Sequence, residues 1–131
     1  MAVHPAIEGL LTKAREDPDL LAVILFGSAA RGEHGSSSDL DVCLVLSGRN
    51  HPPIRLSEKK LEYAARHAAV DVQVFQQLPL YVRRRVLREG RVLWARDEEM
   101  LYELAFRTAQ EFEDFRPRYE EYLRSVERGR S

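Results

Sequence analysis

The chain has 131 residues, 44% of them hydrophobic and 31% charged, with a formal net charge of −1. That length supports one core and excludes two domains that each bury their own, and the apolar content excludes wholesale disorder. No apolar run approaches the ~20 residues that cross a bilayer, the first residues lack a secretory signal pattern, and a pI of 6.4 argues against a dedicated nucleic-acid binder. A cytoplasmic protein with neither membrane nor nucleic-acid partners is expected.

Val3 to Glu16 reads as a first helix, with Pro5 tolerated in its opening turn and Ile7, Leu10, Leu11 and Ala14 at helical spacing. Asp17-Pro18 ends it. Leu20 to Phe26 is a continuous apolar run between Pro18 and Gly27, the pattern of a strand buried on both faces. A Gly- and Ser-dense stretch follows from Gly27 to Ser38, in which Ser28 to Arg31 reads as a short helix capped by Ser28. Leu40 to Leu46 is a second buried strand. Leu56, Lys60, Tyr63, Ala64 and His67 share one face of a second helix, with Ser57 as its cap and Lys59, Glu62 and Arg66 toward solvent. Val70 to Phe75 is a third strand by its β-branched content, Val82 to Glu89 a third helix ended by Gly90, and Arg91 to Ala95 a fourth strand. From Glu98 an apolar stripe of Leu101, Leu104, Ala105, Thr108, Phe112 and Phe115 marks a long helix packed on the sheet, interrupted at Pro117. Helices alternating with four short strands indicate an α/β domain spanning 1–131, with a core at about 20–97 and C-terminal helices at about 98–127.

Charge is segregated along the chain. Residues 1–48 carry −4, 49–96 carry +7, 97–121 carry −6 and 122–131 carry +2. The basic band, dense at Arg83, Arg84, Arg85, Arg88 and Arg91, is open to two readings: attraction of a phosphate-bearing or acidic partner, or a solvated helix face. The four histidines show no ligand spacing, and the single Cys43 reads as a small core hydrophobe. Beyond Pro117, Tyr119 to Val126 offers an apolar edge to a partner or a second copy.

The chemistry concentrates in Leu25-Phe26-Gly27-Ser28-Ala29-Ala30-Arg31-Gly32-Glu33 and Ser36-Ser37-Ser38-Asp39-Leu40-Asp41-Val42. Gly27 permits a sharp turn and close approach to a ligand, and Ser28 places a hydroxyl and an amide at a helix start, where anions are favoured. Arg31, three residues after Ser28, is open to two readings: a contact to such an anion, or an arginine that caps or is solvated. Asp39 and Asp41, two apart on a strand, project from one face. Two carboxylates forced together repel and lose hydration unless a hard cation, Mg²⁺ or Mn²⁺, neutralises them. Asp71 sits in the apolar run Val70 to Phe75 and needs a partner as well. With the third strand beside the second, the three acids could hold two metal ions. Gln73, two positions on, reads either as a contact to substrate or as an ordinary polar residue of an exposed sheet face.

Gly27-Ser28, ten residues, Asp39-Leu40-Asp41 and the later Asp71 resemble the signature of the minimal nucleotidyltransferases of the DNA polymerase β superfamily. The similarity extends over about residues 20–97 and includes Ala30 to Glu33 and Glu89 to Trp94. It implies a polymerase β-like fold, a small mixed sheet flanked by helices with a C-terminal helical extension. It further implies that Asp39 and Asp41 bind the nucleotide-associated metal, that Asp71 binds the second metal and takes the acceptor's proton, and that Gly27, Ser28 and Arg31 contact the triphosphate. Small members of the family commonly pair with HEPN-domain ribonuclease toxins and act as antitoxins that adenylylate a toxin tyrosine, using ATP as donor. The expected function is therefore Mg²⁺-dependent transfer of AMP to a protein hydroxyl. Two alternatives stand beside it: transfer to a small molecule such as an antibiotic, with a homodimer completing the site, and a nucleotide-binding antitoxin that acts by contact alone.

Overall fold

The computed structural model of the protein describes residues 4–27 and 40–129. Helix α1 (Pro5–Glu16) starts at Pro5, with His4 as its cap accepting from the Ala6 N–H, because proline's fixed φ suits a first helical position. Ile7, Leu10, Leu11 and Ala14 are its buried face, as their spacing predicts. Strands β1 (Leu20–Phe26), β2 (Leu40–Leu46) and β4 (Arg91–Ala95) have the bounds read from the sequence, whereas β3 ends at Val74 (Val70–Val74) and Phe75–Gln77 turns as a 3-10 helix.

The sheet order is β3-β2-β1-β4. β1 pairs antiparallel with both β2 and β4, while β2 and β3 are parallel, joined by the crossover helix α2 (Pro53–Ala64). The sheet is thus mixed. One face, through Val23, Leu25, Val42, Leu44, Val70, Val72 and Val74, packs on α1 and α2; the other, through Ala22, Ile24, Cys43 and Val45 and joined by Phe75 just past β3, meets α3 (Leu80–Glu89) and α4 (Glu98–Gly129). β2 and β3 therefore alternate, and their odd-numbered residues face the α3 side.

Three local expectations are corrected. Helix α2 opens at Pro53 with Pro52 at the cap position and no side-chain cap bond, so Ser57 lies inside the helix; its hydroxyl oxygen accepts from Gln77 Nε2 instead. Lys59 does not face solvent: it is 6% exposed, held by carboxylates of the α1–β1 turn. Pro117 does not interrupt α4, which runs 32 residues through it. Pro117 lies on the exposed side, and Arg116 bridges the step by pairing with Glu113 and Glu120, each at 3.7 Å. The stripe of α4 packs chiefly on α3, with Thr108 and Phe112 buried, and meets the sheet at β1. The short helix expected at Ser28 to Arg31 lies outside the described residues. Among the described residues no helix is long and apolar enough to cross a membrane.

Candidate functional site

The carboxyl end of β1 and the amino ends of β2, β3 and β4 meet at one pole of the sheet, because β1 alone runs in the opposite direction. Asp41 and Asp71 sit there. They are register partners across the parallel β2–β3 pair, directly abreast. Val42, Leu44, Val70 and Val72 occupy the α1–α2 core, so the intervening parity sends both carboxylates to the other face of the sheet. Adjacent strands stand ~4.8 Å apart, a spacing at which two carboxylates can share one ion. Asp41 is half-buried and Asp71 exposed.

Gly27 closes the pole from the third side. Phe26 is the antiparallel partner of Asp41, and Gly27, one residue on, takes a left-handed turn at φ 77°. A Cβ built on Gly27 would run into Asp41 Oδ2. The residue is thus glycine for two reasons, conformation and room, and its bare backbone lies against one of the carboxylates. Beside it a cavity of about 200 Å³ is lined by Phe26, Gly27, Val82, Arg85, Val86 and Glu89. Phe26, Val82 and Val86 give it an apolar floor, and Arg85 pairs with Glu89 at 3.7 Å on its polar side.

The structure brings together Gly27, Asp41 and Asp71 from three separate segments. Ser28, Arg31 and Asp39 lie outside the described residues. Among the described residues no group of three or more histidines, cysteines and acids is gathered as metal ligands; the described donor set is the two carboxylates. Two acidic oxygen donors suit a hard divalent ion that keeps several waters and takes further oxygens from a substrate phosphate. The residues present therefore fit magnesium or manganese. Cys43 is fully buried, and burial pushes its thiol far above the usual range, which leaves it inert as a nucleophile, as the sequence indicates.

Sequence reasoning did not find the cavity beside Gly27. Its lining comes from β1 and from one face of α3, and only the docking of that helix on the sheet brings them together. Nor did it assign Lys60 to the site: read as sharing the face of α2 with Leu56 and Tyr63, it instead holds its ammonium 3.3 Å from Gln73 Oε1, while Gln73 Nε2 lies 3.3 Å from Asp71 Oδ1. Contacts across α2 and β3 leave no spacing signal.

Residues 8–99 match the family described as polymerase beta, nucleotidyltransferase. Over 81 residues the chain is 28% identical to a Methanocaldococcus jannaschii protein provisionally named a protein adenylyltransferase; the match covers 62% of this chain and spans 61% of that curated relative's length. Among solved structures, a chain of a toxin-antitoxin crystallised with AMP-PNP superposes with a TM-score of 0.69 at 20% identity, over 92% of this chain and 95% of that one. A chain from the complex of tri-AMPylated Shewanella oneidensis HEPN toxin with MNT antitoxin gives 0.67 at 17% identity, over 92% of this chain and 95% of that one. At such identities the superpositions show a shared fold.

Proposed function

The chain belongs to the polymerase β nucleotidyltransferase family, and on that premise we propose that it moves AMP from ATP onto a hydroxyl of a partner protein. The acceptor in this reading is a tyrosine of a HEPN-domain toxin, and the chain is that toxin's antitoxin. Support comes from the provisional name of the M. jannaschii relative and from the two toxin-antitoxin chains that share the fold. The observation that carries the chemistry is Asp41 abreast of Asp71 beside the bare backbone of Gly27.

That geometry supports roles for Gly27, Asp41 and Asp71, while those of Ser28, Arg31 and Asp39 rest on the resemblance of their spacing to the family's signature. Gly27 lets the triphosphate approach the main chain, and Ser28 and Arg31 are the further phosphate contacts we assign. The cavity beside Gly27 offers the nucleoside an apolar floor of Phe26, Val82 and Val86. Asp41 and Asp71, with Asp39, would hold magnesium, which when bound supplies neutralisation of phosphoryl charge. Asp71 takes the proton of the acceptor hydroxyl. The acceptor oxygen then forms its bond to the α-phosphorus as the bond to the β-phosphate breaks, and pyrophosphate leaves with that electron pair. Alignment and electrostatics do most of this, so the chain needs no nucleophile of its own.

The test is the intact mass of the protein that co-purifies when chain and neighbouring reading frame are expressed together. Wild-type chain should add one or more adenylyl units to it, and Asp41→Asn should add none while still unfolding cooperatively, which shows that the variant is folded. Unmodified partner with wild-type chain, or full modification with Asp41→Asn, overturns the reading. Transfer to an aminoglycoside panel instead would assign a small-molecule acceptor.

A further inference from the structure

We propose that Gln73 and Lys60 are positioning residues that fix the carboxylate of Asp71, an inference that rests on the role given to Asp71 above. Gln73 follows Asp71 by two positions on β3, so the two side chains share a face of the sheet. Gln73 Nε2 donates to Asp71 Oδ1, and Gln73 Oε1 accepts from Lys60 Nζ, each at 3.3 Å. An ammonium can only donate and an ionised carboxylate can only accept. Lys60 therefore selects the amide oxygen, and the amide nitrogen is left for Asp71. A flipped amide would face N–H to N–H at one end and oxygen to oxygen at the other, so the amide has one orientation.

The source of the anchor is specific. Lys60 belongs to α2, which packs against the opposite face through Leu56 and Tyr63, and β3 is an edge of the sheet. Its side chain reaches Gln73 around that free edge. Its sequence neighbour Lys59 is committed to Asp17 and Asp19 in the core, whereas among the described residues Lys60 pairs with no acid and gives its bond to the amide. The consequence falls on Asp71. An exposed carboxylate otherwise turns freely about its terminal torsion; with Oδ1 engaged, Oδ2 is the oxygen left for a cation or a proton. Outer hydrogen bonds of this kind set the orientation and basicity of a ligand oxygen.

Manganese alone is the probe. The unbound Mn²⁺ signal in electron paramagnetic resonance gives the dissociation constant of wild type, Asp71→Asn, Gln73→Leu, Lys60→Met and Lys60→Arg, with melting recorded for each. Gln73→Leu should weaken binding about tenfold at an unchanged melting temperature, Lys60→Met should weaken it less, and Lys60→Arg should restore it because a guanidinium also only donates. Adenylyl transfer by Gln73→Leu should fall in kcat with KM for ATP held. If Asp71→Asn loses manganese while Gln73→Leu and Lys60→Met bind as wild type, the positioning role is overturned and the reading of Asp71 stands. If Asp71→Asn itself binds as wild type, both fail.

Discussion

At Gly27 a single missing methyl group lets the backbone lie against the Asp41 carboxylate. The positive φ costs any other residue about 1 kcal/mol or more, and an added Cβ would displace the Asp41 carboxylate. Gly27→Ala is therefore expected to lower adenylyl transfer far more than it lowers stability, checked by turnover beside a urea melt; equal losses in both would place the effect on folding alone. The paired carboxylates work in the other direction. Like charges abreast on adjacent strands repel, so the double variant Asp41→Asn with Asp71→Asn should melt above wild type when divalent ions are chelated, and the wild type alone should gain stability on adding Mg²⁺. A double variant that melts lower in chelator would mean that the carboxylates are structurally required. Gly27, Asp41 and Asp71 were all legible in the sequence, because a strand-turn pattern and acids in apolar runs are local signals. Gln73 was legible only as a residue with two readings, since its partner Lys60 comes from another element.

Between elements, the α1–β1 turn is clamped to α2. Lys59 Nζ donates to Asp17 Oδ2 and Asp19 Oδ2 at 3.0 Å each, Tyr63 donates its hydroxyl proton to Asp17 Oδ2 at 2.8 Å, and Arg55 pairs with Asp19 at 2.7 Å. Arg96 closes the same turn from β4's far end, donating to the carbonyls of Ala14, Asp17 and Leu20. Burial pulls the Asp17 carboxyl upward, but the bonds from Lys59, the Asp19 N–H and Tyr63 outweigh it and hold the carboxyl below its ordinary value of 3.8. A carboxyl depressed in the folded state stabilises it above the unfolded pKa and loses that contribution as pH falls through the folded one. Stability is expected to drop below about pH 4, and Asp17→Asn should flatten that drop in a melting series across pH. Lys59→Met removes one partner of a buried cluster and should cost about 3 kcal/mol in chemical denaturation; a loss under a third of that would reduce the clamp to a surface pair. In α4, Pro117 deprives a continuous helix of one bond, so Pro117→Ala should raise helicity by circular dichroism and slow amide exchange near residue 117, by up to about 3 kcal/mol of local stability. The sequence marks Pro117 as a break because proline is penalised locally; in the fold the helix runs on through it.

For the molecule as a whole, the alternating charge along the chain becomes layered packing. The basic α3 lies against the acidic first half of α4: Arg83 approaches Glu111 at 3.9 Å and Arg84 stacks over the Phe112 ring at 4.4 Å. Part of the basic band thus answers the acidic segment within the same chain, and Arg85 lines the cavity beside Gly27. The Arg83 and Glu111 pair is open to water, so a double-mutant cycle should return under about 1 kcal/mol, weaker still at high salt. What the residues settled alone was the set of strands, the buried faces of α1 and α4 and the position of Asp41 and Asp71 on two of those strands, because hydrophobic period and turn chemistry act over a few neighbours. Tertiary structure alone decided the order β3-β2-β1-β4, the burial of Lys59, the cavity between β1 and α3, and the bond from Lys60 that reaches Asp71 through Gln73. Each of those depends on groups far apart in sequence meeting at a particular register, and no local propensity encodes such a meeting.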